Sequence, residues 1–135
     1  MSAPSTSRVF RAEPRSLDQL EEHHRATFWA RHLLPSTVVV TVEGEVDATN
    51  SRALARYVES QVTGSTDLVL DIRHVEFFGT AGFAALHNVN VICSQYGVTW
   101  ILQAGRQVRR LLTVCDPEGA LPLEDIQSVV DHLTV

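Results

Sequence analysis

Two strand-like runs separated by a single helix-length segment constrain this chain more than any other feature. "TVVVTVEGEV", Thr37 to Val46, is rich in β-branched residues and reads as a buried strand, and "DLVLDI", Asp67 to Ile72, reads as another. Between them, "RALARYVESQV" places Leu54, Tyr57, Val58 and Val62 on one face of a helix. Asp, Thr, Asn and Ser in "DATNS" offer caps ahead of it, and Gly64 ends it. Two strands joined through a helix imply a parallel crossover. That excludes an all-α or an all-β fold.

The rest of the chain extends this unit. Upstream, "TFWARHL" and the turn at Pro35 make a hairpin with the first buried strand. Downstream, Gly82, Leu86, Val89, Cys93 and Tyr96 form one stripe of a helix of about four turns that stops at Gly97. "VTWILQ" follows as a strand. "GRQVRRLLTVC" then forms a helix with Val108, Leu111, Leu112 and Cys115 toward the core, broken by Pro117 and Gly119. A short extended piece at Leu121 to Leu123 precedes a last helix carrying Ile126, Val129, Val130 and Leu133. The expected fold is α/β: one small mixed sheet of about four or five strands with about four helices packed mainly on one face. Residues 1–25, poor in apolar positions, are expected to form a flexible arm with a short helical turn at Leu17 to Glu22, and residues 26–135 the single domain.

Composition limits the function. No apolar run approaches the roughly 20 residues of a membrane span, and the start of the chain lacks the apolar core of a secretory signal, so a soluble cytoplasmic protein is expected. The net charge of −5 argues against direct binding to nucleic acid or anionic membrane and favours a protein or neutral partner. All 11 basic residues are Arg, as codon bias in a GC-rich bacterial genome would produce.

Catalytic signatures are lacking. The six histidines have no metal-ligand spacing, there is no Gly-x-Ser-x-Gly elbow, and "FFGTAGF" has no phosphate-loop Lys. No metal or cofactor is expected, and the chain is not expected to be an enzyme. A nucleophilic Thr80 would lack an adjacent base. Cys93 and Cys115 lie on apolar stripes and read as buried thiols, with a redox pair as the alternative reading.

What remains are two turns at strand ends. "EGEVDATN" carries Glu43, Glu45 and Asp47 at the end of one buried strand, and "FGTAG" carries Thr80 at the end of the next. In an open α/β sheet such ends share an edge, so these residues should be close. Thr80 reads either as a helix N-cap or as a hydroxyl presented to a partner, and Asp47 as a cap of the preceding helix or part of the same surface.

Three blocks, "VVVTVEGEVDATNSRAL", "LVLDIRHVEFFGTAGFAAL" and "VTWILQAGRQVRRLLTV", resemble the signature blocks of STAS domains, specifically bacterial anti-sigma factor antagonists, over residues 26–133. The resemblance implies a small sheet with helices on one side. It also implies a protein that binds a serine/threonine-kinase type of anti-sigma factor and so frees a sigma factor, until that kinase phosphorylates a hydroxyl at the start of the second helix. The family's Asp-Ser-Ser-Gly falls on Gly79, Thr80, Ala81 and Gly82, with Thr80 in the acceptor's place and Gly79 and Ala81 replacing the acid and the second serine. The Gly-Glu-x-Asp motif is Gly44, Glu45, Val46 and Asp47. The partner-binding residues implied are thus Glu45, Asp47, Gly79, Thr80, Ala81 and Gly82. STAS-like domains also serve as accessory parts of lipid or anion transport systems, which is the alternative role.

Overall fold

The computed structural model describes residues 20–124. Its five strands are β1 (Glu21–His23), β2 (Ala26–Leu33), β3 (Thr37–Val46), β4 (Asp67–Phe78) and β5 (Thr99–Ala104), in spatial order β1-β2-β3-β4-β5. The first three are antiparallel neighbours; β3, β4 and β5 run parallel. Helix α1 (Ser51–Val62) joins β3 to β4, α2 (Thr80–Tyr96) joins β4 to β5, and α3 (Arg106–Cys115) follows β5. Successive right-handed crossovers that step in one direction across a sheet put every helix on the same face, and that single face holds the core.

Alternation along the strands builds that core. Ala30, Val40, Leu70 and Leu102 form one buried row across the sheet, with Val38, Leu68 and Trp100 in the row on one side of it and Phe28 and Val42 in the row on the other. Against them pack Leu54, Tyr57, Val58 and Val62 of α1 and Leu86, Val89 and Cys93 of α2. Each large apolar side chain buried there contributes about 1.5–3 kcal/mol.

Several expectations are corrected. β4 runs to Phe78, six residues past Ile72, because β3 continues alongside it through two register shifts to the pair Val46↔Phe78. Glu21 and Glu22 are strand and not helical turn: they pair with Phe28 and Thr27, so the sheet begins before Ala26. Tyr96 is exposed, since the last turn of α2 passes beyond the core and its phenol donates to Glu59 of α1 at 3.1 Å. In α3 only Val108 and Leu112 are buried, because this helix rests on β5 at the rim of the sheet and one i, i+4 row covers the contact; Leu111 and Cys115 face outward. Leu123 makes a parallel bridge with Leu102, as an extended piece there requires. The last helix expected around Ile126, Val129, Val130 and Leu133 lies outside the described residues.

Candidate functional site

The parallel pairing of β3 with β4 sets Glu45 beside Phe77 and Val46 beside Phe78, so the two chains leave the sheet side by side. Gly79 then donates its amide to the Val46 carbonyl at 3.0 Å. This bond fixes the start of α2 against the residue that precedes Asp47. Asp47 is half-buried and Thr80 exposed on the resulting edge.

Each half of the edge has its own local cause. Gly44 has φ +98°, and a Cβ there would lie 2.1 Å from the Arg25 carbonyl oxygen, which instead accepts the Glu45 amide at 3.0 Å. Only glycine permits that bulge. Asn50, buried at 1% exposure, holds the turn that follows: its Nδ2 donates to the carbonyls of Glu45 (2.9 Å) and His23 (3.1 Å), and its Oδ1 accepts the Asp47 amide at 3.0 Å. Asn50, not Asp47, occupies the N-cap position of α1, and its oxygen is spent on the turn. The Asp47 carboxylate faces Thr49, accepting from its hydroxyl and its amide; these bonds, the hydroxyl first, with weaker attraction from His24 and Arg25, hold its pKa below the ordinary carboxylate value. Asp47 is therefore an anion at neutral pH. Glu45 lies 3.5 Å from Arg25, while Glu43 is exposed two residues back, paired in register with His74.

On the other half, Gly79 takes the N-cap position in an extended conformation and Thr80 is the first helical residue. Thr80 is not the cap: the chain becomes helical one residue earlier than a capping Thr80 requires, and Gly79 O accepts from Gly82 N at 2.9 Å. The hydroxyl is on the surface, and the first turn of α2 carries no acidic side chain to balance the positive end of the helix dipole. Ala81 is half-buried beside it. A Cβ on Gly82 would meet the Phe78 ring at 2.8 Å. The glycine lets α2 sit directly on that ring, which itself packs edge-on to Phe83 at 5.0 Å.

Phe77, 54% exposed, adds an aromatic side chain to the edge. Neither Phe77 nor the bracing role of Asn50 is visible in the sequence patterns. Phe77 joins the edge only because β4 runs past Ile72, and Asn50 reads in sequence as one cap candidate among four. The cysteines stand apart. Both are free thiols, and burial pushes Cys93 up to about 11, whereas Cys115 is at the surface. A buried protonated thiol is not a reactive partner for an exposed one. Among the described residues no group of three or more His, Cys, Asp or Glu is arranged to hold a metal ion, and no helix is long and apolar enough to cross a membrane.

The STAS domain model matches residues 29–125. The chain belongs to the STAS domain family. Osmosensory protein A of Mycobacterium tuberculosis is 33% identical over 86 residues, covering 64% of this STAS chain and 48% of the relative, so the chain spans about half of that protein's length. Among solved structures, an anti-sigma factor antagonist from Mycobacterium paratuberculosis superposes with a TM-score of 0.63 at 23% identity, covering 82% of this chain and 95% of the other. The anti-sigma factor antagonist SpoIIAA in its unphosphorylated form gives 0.60 at 14% identity over 79% and 96%. The Bacillus SpoIIAA in its phosphorylated form gives 0.56 at 13% over 78% and 98%. These likenesses show the same STAS fold, here with a five-stranded mixed sheet and its helices on one face.

Proposed function

We propose that this STAS domain is an anti-sigma factor antagonist whose Asp47–Thr80 edge binds an anti-sigma factor of the protein-kinase type, freeing a sigma factor, and that phosphorylation of Thr80 ends the binding. The observation that carries the reading is the bond from Gly79 N to Val46 O, which joins the two turns into one surface with Asp47, Phe77 and Thr80 on it. The solved relatives named as anti-sigma factor antagonists, one of them in a phosphorylated form, support it.

The chemistry is consistent with a switch. A phosphate on Thr80 would bring about −1.5 to −2 charges to a helix N-terminus that lacks acidic neighbours in its first turn, so the fold tolerates it. A partner fitted to a neutral hydroxyl beside the Asp47 anion would meet added bulk and repulsion. Gly79 in place of an acid makes the unmodified edge more neutral than the family's pattern. The test is a two-protein assay with the kinase-type anti-sigma factors of the host, with and without ATP. Wild type binds and is released with ATP as Thr80 gains phosphate; Thr80→Ala binds and stays bound; Thr80→Glu folds but binds at least tenfold more weakly, about 1.4 kcal/mol. Equal binding by wild type and Thr80→Glu would refute the reading, and ATP-insensitive binding by wild type would remove the switch while leaving the capture.

A further inference from the structure

A third segment reaches the Asp47–Thr80 edge: the two-residue loop His24–Arg25 that joins β1 to β2. Two bonds hold it there. The Arg25 carbonyl accepts the Glu45 amide at 3.0 Å and the His23 carbonyl accepts from Asn50 Nδ2 at 3.1 Å, so the buried side chain that shapes the Asp47 turn grips this loop as well. On the β1 side, His23 stacks on Phe28 with ring centroids 5.3 Å apart, and its Nε2 lies 2.8 Å from Glu21 Oε1. His24, the first loop residue, has φ +59°, the left-handed region that residues other than glycine seldom adopt. The braced surroundings keep the loop in that conformation.

What the loop presents is Arg25. Arg73 spends its guanidinium on Asp71, with both bonds at 2.9 Å, and Arg109 spends its own on the Glu124 carbonyl. The Arg25 guanidinium makes only a loose ion pair among the described residues, 3.5 Å to Glu45, and its side chain is 76% exposed. An exposed pair of this kind contributes little to folding. Its charge nevertheless bears on the edge, because Arg25 and His24 both attract the Asp47 carboxylate. The edge is therefore bipolar: a cation on the β1–β2 loop, an anion on the Asp47 turn, and the uncharged Thr80 at the start of α2.

We propose that Arg25 is a further partner-binding residue of this edge and one that sets specificity, taking a carboxylate of the anti-sigma factor next to the group that meets Asp47; this rests on the reading of the Asp47–Thr80 edge given above. Continuity with that edge and charge complementarity carry it. A partner carboxylate can accept two parallel bonds from the guanidinium fork where Glu45 offers one long contact, so Arg25 can exchange one for the other as the edge is covered. Opposite charges on neighbouring segments also admit a partner in one orientation. A surface turned end for end sets a cation against Arg25 and a carboxylate against Asp47, and both contacts repel.

Binding kinetics of the full chain with the kinase-type anti-sigma factors of the host, at about 50 and about 300 mM salt, test this. Arg25→Glu should weaken binding at least tenfold and Arg25→Ala about three- to tenfold, chiefly through slower association and with a flatter salt dependence, while Arg25→Lys keeps part of the affinity. Arg31→Ala, which removes the same charge from the far part of β2, should bind as wild type does. Thermal unfolding of each variant keeps the comparison between folded proteins. Arg25→Glu binding as tightly as wild type overturns the proposal, and so does Arg25→Ala binding more tightly, the result of a partner cation at this place. If Thr80→Glu weakens binding and Arg25→Glu does not, the Thr80 reading stands and the Arg25 contact falls; if the reverse holds, the Arg25 contact stands and the Thr80 reading falls. A wild type that captures no kinase-type anti-sigma factor overturns both.

Discussion

Replacing Gly44 with Ala should be far more damaging than replacing Gly97, although both have positive φ, and the difference can be worked from the space around each. At Gly97, φ is +68° and a Cβ would meet nothing within 4 Å. The cost there is the left-handed backbone alone, about 1–2 kcal/mol, less the 0.4–1 kcal/mol or so that Ala recovers by restricting the unfolded chain. At Gly44, φ is +98° and the new carbon would sit 2.1 Å from a backbone oxygen that cannot rotate away. Relief requires β2 and β3 to part at Arg25. The backbone term is then joined by the lost Glu45–Arg25 bond, about 0.5–1.5 kcal/mol, and by overpacking of about 1–3 kcal/mol. The net expectation is about 2–6 kcal/mol for Gly44→Ala against about 1 kcal/mol for Gly97→Ala. For a domain with a typical 5–15 kcal/mol of stability the first change is severe. Urea denaturation of both variants, with slopes compared to confirm two-state behaviour, measures the difference. If Gly44→Ala loses no more stability than Gly97→Ala, the bulge is not the constraint described, and the placement of Glu45 and Asp47 needs another cause.

Asn50→Ala removes three hydrogen bonds from a buried position and strands the Glu45 and His23 carbonyls and the Asp47 amide; a loss of about 2–4 kcal/mol is expected by thermal or urea unfolding, with the Thr80 half of the edge intact. In thiol labelling of the native protein, Cys115 should react within seconds to minutes and Cys93 only as the protein unfolds, so equal native rates would contradict the burial of Cys93. Burial of Asp71 opposes its ionisation, but the Arg73 bonds outweigh this and place its folded pKa below the ordinary 3.8. Its stabilising contribution is therefore present above that value and lost as pH falls through the folded one, so on acidification below the ordinary value the urea midpoint of wild type should fall more steeply than that of Asp71→Asn.

Much of the fold was legible because periodicity is a local property of the chain. The β-branched runs, the helical stripe of α1 and the Gly97 stop each follow from residues adjacent in sequence, and crossover handedness then orders the strands. Tyr96, Leu111 and Cys115 depart from their expected burial for one reason. A helical stripe shows which residues share a face, not how far the surface beneath that face extends, and α3 rests on the rim of the sheet. The edge carrying Asp47 and Thr80 could be inferred from strand ends alone. Its shape could not, because Asn50 acts on residues 5 and 27 positions away through backbone carbonyls, and those contacts exist only once β1, β3 and the turn have assembled.

The division of labour around Asn50 also bears on how such an edge can change over evolutionary time. The turn's path is set by backbone atoms, by Gly44 and by one buried amide, while Phe77 and Thr80 are exposed residues that are not needed to hold that path. Substitutions at these exposed positions alter the surface of the edge without asking the domain to fold differently. The edge can therefore change its surface chemistry one residue at a time while the turn beneath it keeps its shape.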